Sequence, residues 1–340
     1  MMTHSSSLTA DLVLEGGGVL GIGHVGAISV LEDAGYSFAR VAGTSAGAIV
    51  GALVAAGMPA SRITQIMTTL DYRRFTDRSL LDRVPLAGPL LSLLMDDGVF
   101  EGDYLREWLG NLLVDECGVE TFGDLAVDDA GSCLPPERRY RLVVTATDVT
   151  RGELVYFPWD YQGTYGLEPG RQLVVDAVRA STSIPFFFEP ATLVGSDTTP
   201  STLVDGGVLA NFPIDIFDRT DGRPPRWPTF GVKLLPLLPQ DAAKLLPIAG
   251  LLKHGPVALA ADLAMTTIVG RDQAHLAKPW VKVRTMQVDT AGINPVDFGL
   301  SRAQARTLFE NGQAAATRFM AEWDWQNYLA TFRGVTPLNA

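Results

Sequence analysis

The first sixty residues alternate short apolar runs with glycine-marked breaks. Residues 11–15 (DLVLE) have the length and composition of a short strand and meet Gly16-Gly17-Gly18 at once. Residues 23–35 carry apolar positions at helical spacing and stop at Gly35, and residues 38–42 predict a second strand. Residues 45–57 predict a second helix, rich in Ala and Gly and ended by Gly57 and Pro59, whose small side chains suit close packing on a sheet. Strand, helix, strand, helix in so short a span predicts an α/β layer structure with a mostly parallel central sheet.

Farther along, residues 103–114 and 171–183 predict helices. Residues 140–147 and 153–157 predict a strand–turn–strand, residues 202–205 a strand ending at Gly206-Gly207, and residues 229–235 and 281–284 further strands. Residues 301–330 predict an amphipathic helix or helix pair, and residues 128–136 and 218–228 surface loops. No repeat and no linker divides the chain. It therefore reads as one domain over residues 10–335 behind a flexible stretch at 1–9, with apolar segments near 80–100 and 236–265 as candidate lids or interfacial surfaces.

Composition narrows the function. A formal net charge of −11 argues against nucleic-acid binding, which needs a basic field, and against electrostatic attraction to anionic lipid, so any membrane contact would be peripheral and apolar. No run of eighteen apolar residues predicts a membrane span, and the start of the chain lacks the features of a secretory signal. These features predict a cytoplasmic protein, with signal-independent export left open. Cys117 and Cys133 read as free thiols.

Three motifs carry chemistry. Gly43-Thr44-Ser45-Ala46-Gly47 is a G-x-S-x-G between a predicted strand and helix, where a sharp turn presents a serine hydroxyl at a helix N-terminus. Gly16-Gly17-Gly18-Val19-Leu20-Gly21 exposes consecutive backbone N–H groups able to hold an oxyanion or a phosphate. Asp205-Gly206-Gly207 ends an apolar strand and frees a carboxylate to approach a serine from another loop, although Asp-Gly is also a common turn signal. The overlapping Gly21-Ile22-Gly23-His24-Val25-Gly26 matches a dinucleotide fingerprint, but it starts six residues past the strand and lacks the acidic residue closing the second strand. A histidine base is the competing arrangement. His254 and His275 lie outside glycine-punctuated loops, and His24 begins a predicted helix.

Together, the glycine loop at 16–21, GTSAG at 43–47 and DGG at 205–207, in this order, resemble the patatin-like phospholipase family. The stretches DDGVFEGDYLREWL, ATDVTRGELVYF and AVRASTSIPFFFEP are similar to bacterial members. The resemblance implies a three-layer α/β/α sandwich and calcium-independent hydrolysis of phospholipid or other acyl-ester lipids, with no cofactor and no metal. It implies Ser45 as nucleophile and Asp205 as base, and an oxyanion hole from the Gly17 and Gly18 amides with Gly16 nearby. Gly21, Gly43, Gly47, Gly206 and Gly207 then complete the motifs. Leu20 departs from the pattern, since family members often carry Lys or Arg there. That departure weakens the case for a strictly phospholipid substrate and keeps an esterase or triacylglycerol lipase, or a ligand-gated lipid-binding effector, as alternatives. Pro185-Phe186-Phe187-Phe188 is a candidate wall for an acyl pocket. The oligomeric state has no signature in the sequence.

Overall fold

The computed structural model describes residues 8–75, 102–235 and 278–334. Its centre is one eight-stranded sheet. Strands β1 (Leu8–Leu14), β2 (Tyr36–Gly43), β3 (Leu142–Asp148), β7 (Thr229–Leu235) and β8 (Thr285–Asp289) pair in parallel, in the order β3-β2-β1-β7-β8. Strands β4 (Glu153–Phe157), β5 (Ala191–Val194) and β6 (Pro200–Asp205) add antiparallel pairings: β4 with β3, β6 with β3, and β5 with β6. The predicted α/β class and mostly parallel sheet are therefore observed.

Register along β3 decides where the two motifs end up. Val144 pairs with Gly43 of β2 on one side and with Phe157 of β4 on the other. Ala146 pairs with Asp205 of β6 and, opposite, with Val155 of β4. β2 and β6 thus occupy the same edge of β3, running toward each other, and their ends meet within two β3 residues. G-x-S-x-G follows the end of β2, and Asp205 is the end of β6.

The central strands are buried on both faces, as expected of parallel strands. Leu12, Leu14, Val41, Leu142 and Val144 face the larger core, which α1 (Ile22–Asp33), α2 (Ala46–Ala55), α3 (Ala60–Thr69), α4 (Asp103–Asn111) and α6 (Val174–Ser181) help to build. Val13, Ala42 and Val143 face the opposite side, under Phe212, Ile214, Phe217 and Val281, with Trp159 of α5 (Trp159–Tyr165) against them. Helix α7 (Arg302–Glu322) starts with a Ser301/Gln304 capping box and lies on α1. The approach is close enough that a Cβ on Gly26 would overlap the carbonyl of Phe309, and one on Gly312 the carbonyl of Gly23. A final helix, α8 (Trp325–Phe332), completes the predicted helix pair.

Three elements differ from expectation. β1 begins at Leu8, earlier than residue 11, because Leu8 through Ala10 continue the pairing with β2. Residues 281–284 are no strand: Pro279 opens a helical turn, Pro279–Lys282, and the strand follows at Thr285–Asp289. The short edge strand Ala191–Val194 carried no sequence signal. The candidate lid segments near 80–100 and 236–265 lie outside the described residues. His4, His254 and His275 lie outside them too. Cys117 and Cys133 are not joined.

Candidate active site

Ser45 sits in a turn no wider than the two glycines allow. A Cβ on Gly43 would overlap the carbonyl of Gly47, and one on Gly47 would overlap the carbonyl of Leu14. Ser45 itself has φ 52° and ψ −121°, outside the regions an L-residue favours. Such a conformation costs about 1–3 kcal/mol and persists where the surroundings over-determine it. Two contacts do so here. The Ser45 amide donates to Ser181 Oγ at 2.9 Å, and Thr44 Oγ1 lies 2.7 Å from Thr145 Oγ1 on β3. Thr145 also packs against Gly206, where a Cβ would overlap Thr145 Oγ1. One β3 side chain therefore wedges between the serine turn and the aspartate turn.

Asp205 is 1% exposed. Burial pushes its carboxyl up to about 6, against the opposing pull of hydrogen bonds from the Ser45 hydroxyl and the Gly207 amide, the latter at 2.8 Å. Ser45 and Asp205 are thus neighbours in the structure. His24, the one described histidine, is fully buried. Its Nε2 lies 2.8 Å from the carbonyl oxygen of Glu15, and burial lowers its pKa to about 4, so it is neutral at pH 7 and held in the core of α1.

The glycine loop is anchored at each end. Glu15 closes β1: its carboxylate pairs with the buried Lys233 and accepts the Leu234 amide at 2.7 Å. The Gly16 amide donates to the Asn211 carbonyl at 3.3 Å, and Asn211 Nδ2 donates back to the Gly16 carbonyl at 3.3 Å. Asn211 Oδ1 is buried and takes no hydrogen bond from the described residues, an arrangement that costs about 1–3 kcal/mol. Gly18 has φ +55°, and a Cβ there would overlap the carbonyl of Pro295, which accepts the Val19 amide at 2.8 Å. The Gly17 and Gly18 amides donate to no described residue, so they are the loop's available donors. Gly21 approaches Ala46 within 3.4 Å of where its Cβ would lie, seating the loop on the start of α2. The Leu20 side chain is fully buried.

An apolar cleft of about 560 Å³, counting its space open to solvent, leads away from Ser45. Its walls include Ile49 of α2, Met67 of α3, Phe75, Trp108 of α4, Phe188 and Phe298. Phe188 does line it, whereas Phe187 is buried in packing. Phe75 and Trp108 meet edge to face at 5.5 Å, and Phe188 and Phe298 at 5.8 Å. Among the described residues no three His, Cys, Asp or Glu side chains gather into a metal site, and no helix is long and apolar enough to cross a membrane.

The sequence singled out Ser45, Asp205 and the glycines, which the structure brings together, and did not single out Thr145, Ser181, Asn211, Pro295 and Phe298. Ser181 lies in the AVRASTSIPFFFEP stretch, a signal that pointed to the region without assigning the hydroxyl.

A sheet flanked by helices, with a strained strand–turn–helix serine at the carboxyl end of a central parallel strand, defines an α/β protein. The chain belongs to the patatin-like phospholipase family, whose members act on lipids and whose pattern it matches over residues 12–218. It is 34% identical over 318 residues to the uncharacterized protein YqhO of Bacillus subtilis, covering 93% of this chain and 99% of that one. It is 28% identical over 210 residues to the uncharacterized NTE family protein Rv1063c of Mycobacterium tuberculosis, covering 62% of this chain and 46% of the relative. The fold is similar to the crystal structure of VipD from Legionella pneumophila, with a TM-score of 0.52 at 18% identity, covering 92% of this chain and 66% of that one.

Proposed function

We propose that the protein is a lipid acyl hydrolase working through a Ser45–Asp205 dyad without a metal. The observation that carries this reading is the strained Ser45 beside a buried carboxylate whose pKa is raised to about 6, at the mouth of an apolar cleft. The apolar lining of the cleft suits an acyl chain, with its ester carbonyl over Ser45 Oγ. Asp205 takes the hydroxyl proton as Oγ attacks the carbonyl carbon. The carbonyl oxygen becomes an oxyanion held by the Gly17 and Gly18 amides, with Gly16 anchoring the loop; one such donor contributes about 3–4 kcal/mol. The C–O bond to the alcohol breaks, and the proton on Asp205 passes to the leaving oxygen. Water then gives a proton to Asp205 and attacks the acyl carbon, the bond to Oγ breaks, and the proton returns to Ser45.

Leu20 and the uncharged cleft lining among the described residues favour a second reading, in which the substrate is a neutral acyl ester rather than a phospholipid. The test is fatty-acid release from mixed phospholipid vesicles and from triacylglycerol emulsions, with a calcium chelator present, comparing wild type with Ser45→Ala. Release by wild type alone is the expected result, and the better substrate separates the two readings. Equal release by both proteins removes Ser45 from the reaction.

A further inference from the structure

We infer that Asn211 is a positioning residue for the reaction, holding the glycine loop in the register that turns the Gly17 and Gly18 amides toward the reacting carbonyl oxygen. The inference rests on the proposed role of Ser45. Asn211 grips Gly16 twice, its backbone carbonyl accepting the Gly16 amide and its Nδ2 donating to the Gly16 carbonyl, both at 3.3 Å. Gly16 is the residue that enters the donor pair, so its orientation sets theirs. The grip is also next to the nucleophile: the place a Gly16 Cβ would occupy overlaps Asn211 Oδ1 and lies 3.1 Å from Ser45 Cβ.

Asn211 reaches the loop from the segment that follows the Gly206–Val208 turn, whose first cap is Asp205. The base and the residue that grips the glycine loop are therefore parts of one short stretch of chain, and the Asn211 side chain ties that stretch to the loop. Its amide is used as a donor even though this leaves Oδ1 buried with no hydrogen bond from any described residue. A residue present only for packing has no need of that orientation, and an apolar side chain would fill the place without an orphan acceptor. The backbone bond from Gly16 survives any substitution at 211. Side-chain variants therefore isolate the Nδ2 tether.

The experiment uses the full chain as wild type, Asn211→Ala, Asn211→Asp and Ser45→Ala. A long-chain alkyl trifluoromethyl ketone reports the oxyanion, because serine addition to it creates one. The alcohol of the same chain length occupies the cleft without creating one. The expected result is a loss of about tenfold to a hundredfold in kcat and in ketone affinity for both Asn211 variants, short of deleting a donor. Alcohol affinity stays near wild type in both variants, and Asn211→Ala stays near the wild-type melting temperature because it removes the acceptor along with the donor, whereas Asn211→Asp, which buries a carboxyl group against the Gly16 carbonyl, melts lower. Unchanged kcat and ketone affinity in Asn211→Asp, which keeps the shape and loses the donor, overturns the inference even if Asn211→Ala fails to fold. Parallel loss of ketone and alcohol affinity also overturns it, since that marks collapse of the cleft. Equal ketone binding by wild type and Ser45→Ala removes the Ser45 reading itself, a failure separable from that of Asn211.

Discussion

Replacing Asp205 with asparagine separates what the carboxylate does for chemistry from what its charge does to the fold. Asparagine keeps an oxygen for the Gly207 amide, which Asp205 now accepts at 2.8 Å, and offers its own N–H groups to Ser45 Oγ. It removes the buried charge. The Asp205 carboxyl titrates at about 6, raised from 3.8 by burial. At about 1.4 kcal/mol per pH unit, that gap corresponds to about 3 kcal/mol. Between about pH 4 and pH 6 the folded state binds more protons than the unfolded state, so wild-type stability falls as pH rises through this window. Below it the carboxyl is protonated in both states and contributes no difference; above it the whole cost is present. Asp205→Asn carries no such cost. With an unfolding entropy of about 2.1 cal/mol/K per residue, 3 kcal/mol in a chain of this length is about 4 °C in melting temperature. Thermal melts of the two proteins from pH 4 to pH 8 are the assay. The variant should melt with wild type near pH 4 and about 4 °C higher above pH 6.5, while hydrolysis is lost at every pH. A difference independent of pH, or a variant less stable than wild type at pH 8, refutes the claim that the charge is held at a cost.

The remaining predictions concern activity, anchoring and packing. kcat/KM should rise with pH through an apparent pKa near the Asp205 value of about 6, because the base acts deprotonated; a flat profile from pH 5 to 8 would assign proton transfer elsewhere. Lys233→Met leaves the Glu15 carboxylate buried without its cation and should cost about 3–5 kcal/mol in urea unfolding, whereas pairing it with Glu15→Gln should recover part of that loss. Gly26→Ala drives a Cβ into the Phe309 carbonyl and should destabilise the α1–α7 packing by about 1–3 kcal/mol, read as a lower denaturation midpoint with unchanged slope. Phe75→Ala opens the far wall of the cleft and should shift preference toward longer acyl chains in a chain-length series of p-nitrophenyl esters, with Ser45 labelling unaffected.

The sheet and the motif residues were legible because each depends on local chemistry. G-x-S-x-G needs its glycines where backbone meets backbone, and the parallel strands announce themselves as apolar runs ended by glycine. The strand expected at 281–284 shows where this fails. Val281, Val283 and the flanking Lys282 and Arg284 alternate like a strand, but Pro279 starts a helical turn, and Arg284 is buried to pair with Asp215 and Asp218. No alternation pattern encodes those distant partners. Thr145, Ser181 and Asn211 were missed for a similar reason. A threonine, a serine and an asparagine are unexceptional in sequence, and each acquires its role from a register set elsewhere: Thr145 by the pairing of β3, Ser181 by the end of α6, Asn211 by the return of the chain beneath the glycine loop.

Because β2 and β6 run into one another along a single edge of β3, β3 serves as the ruler on which the proposed dyad is spaced. Its two graduations are Val144, opposite Gly43, and Ala146, opposite Asp205, about 7 Å apart along the strand. The long stretch of chain between Ser45 and Asp205 does not enter that measure. Insertions in its loops, such as the turn at 128–136, can therefore lengthen the protein without stretching the site. One extra residue between Val144 and Ala146 would part Ser45 from Asp205 by a full strand step, while leaving most of the sheet's apolar pattern in place.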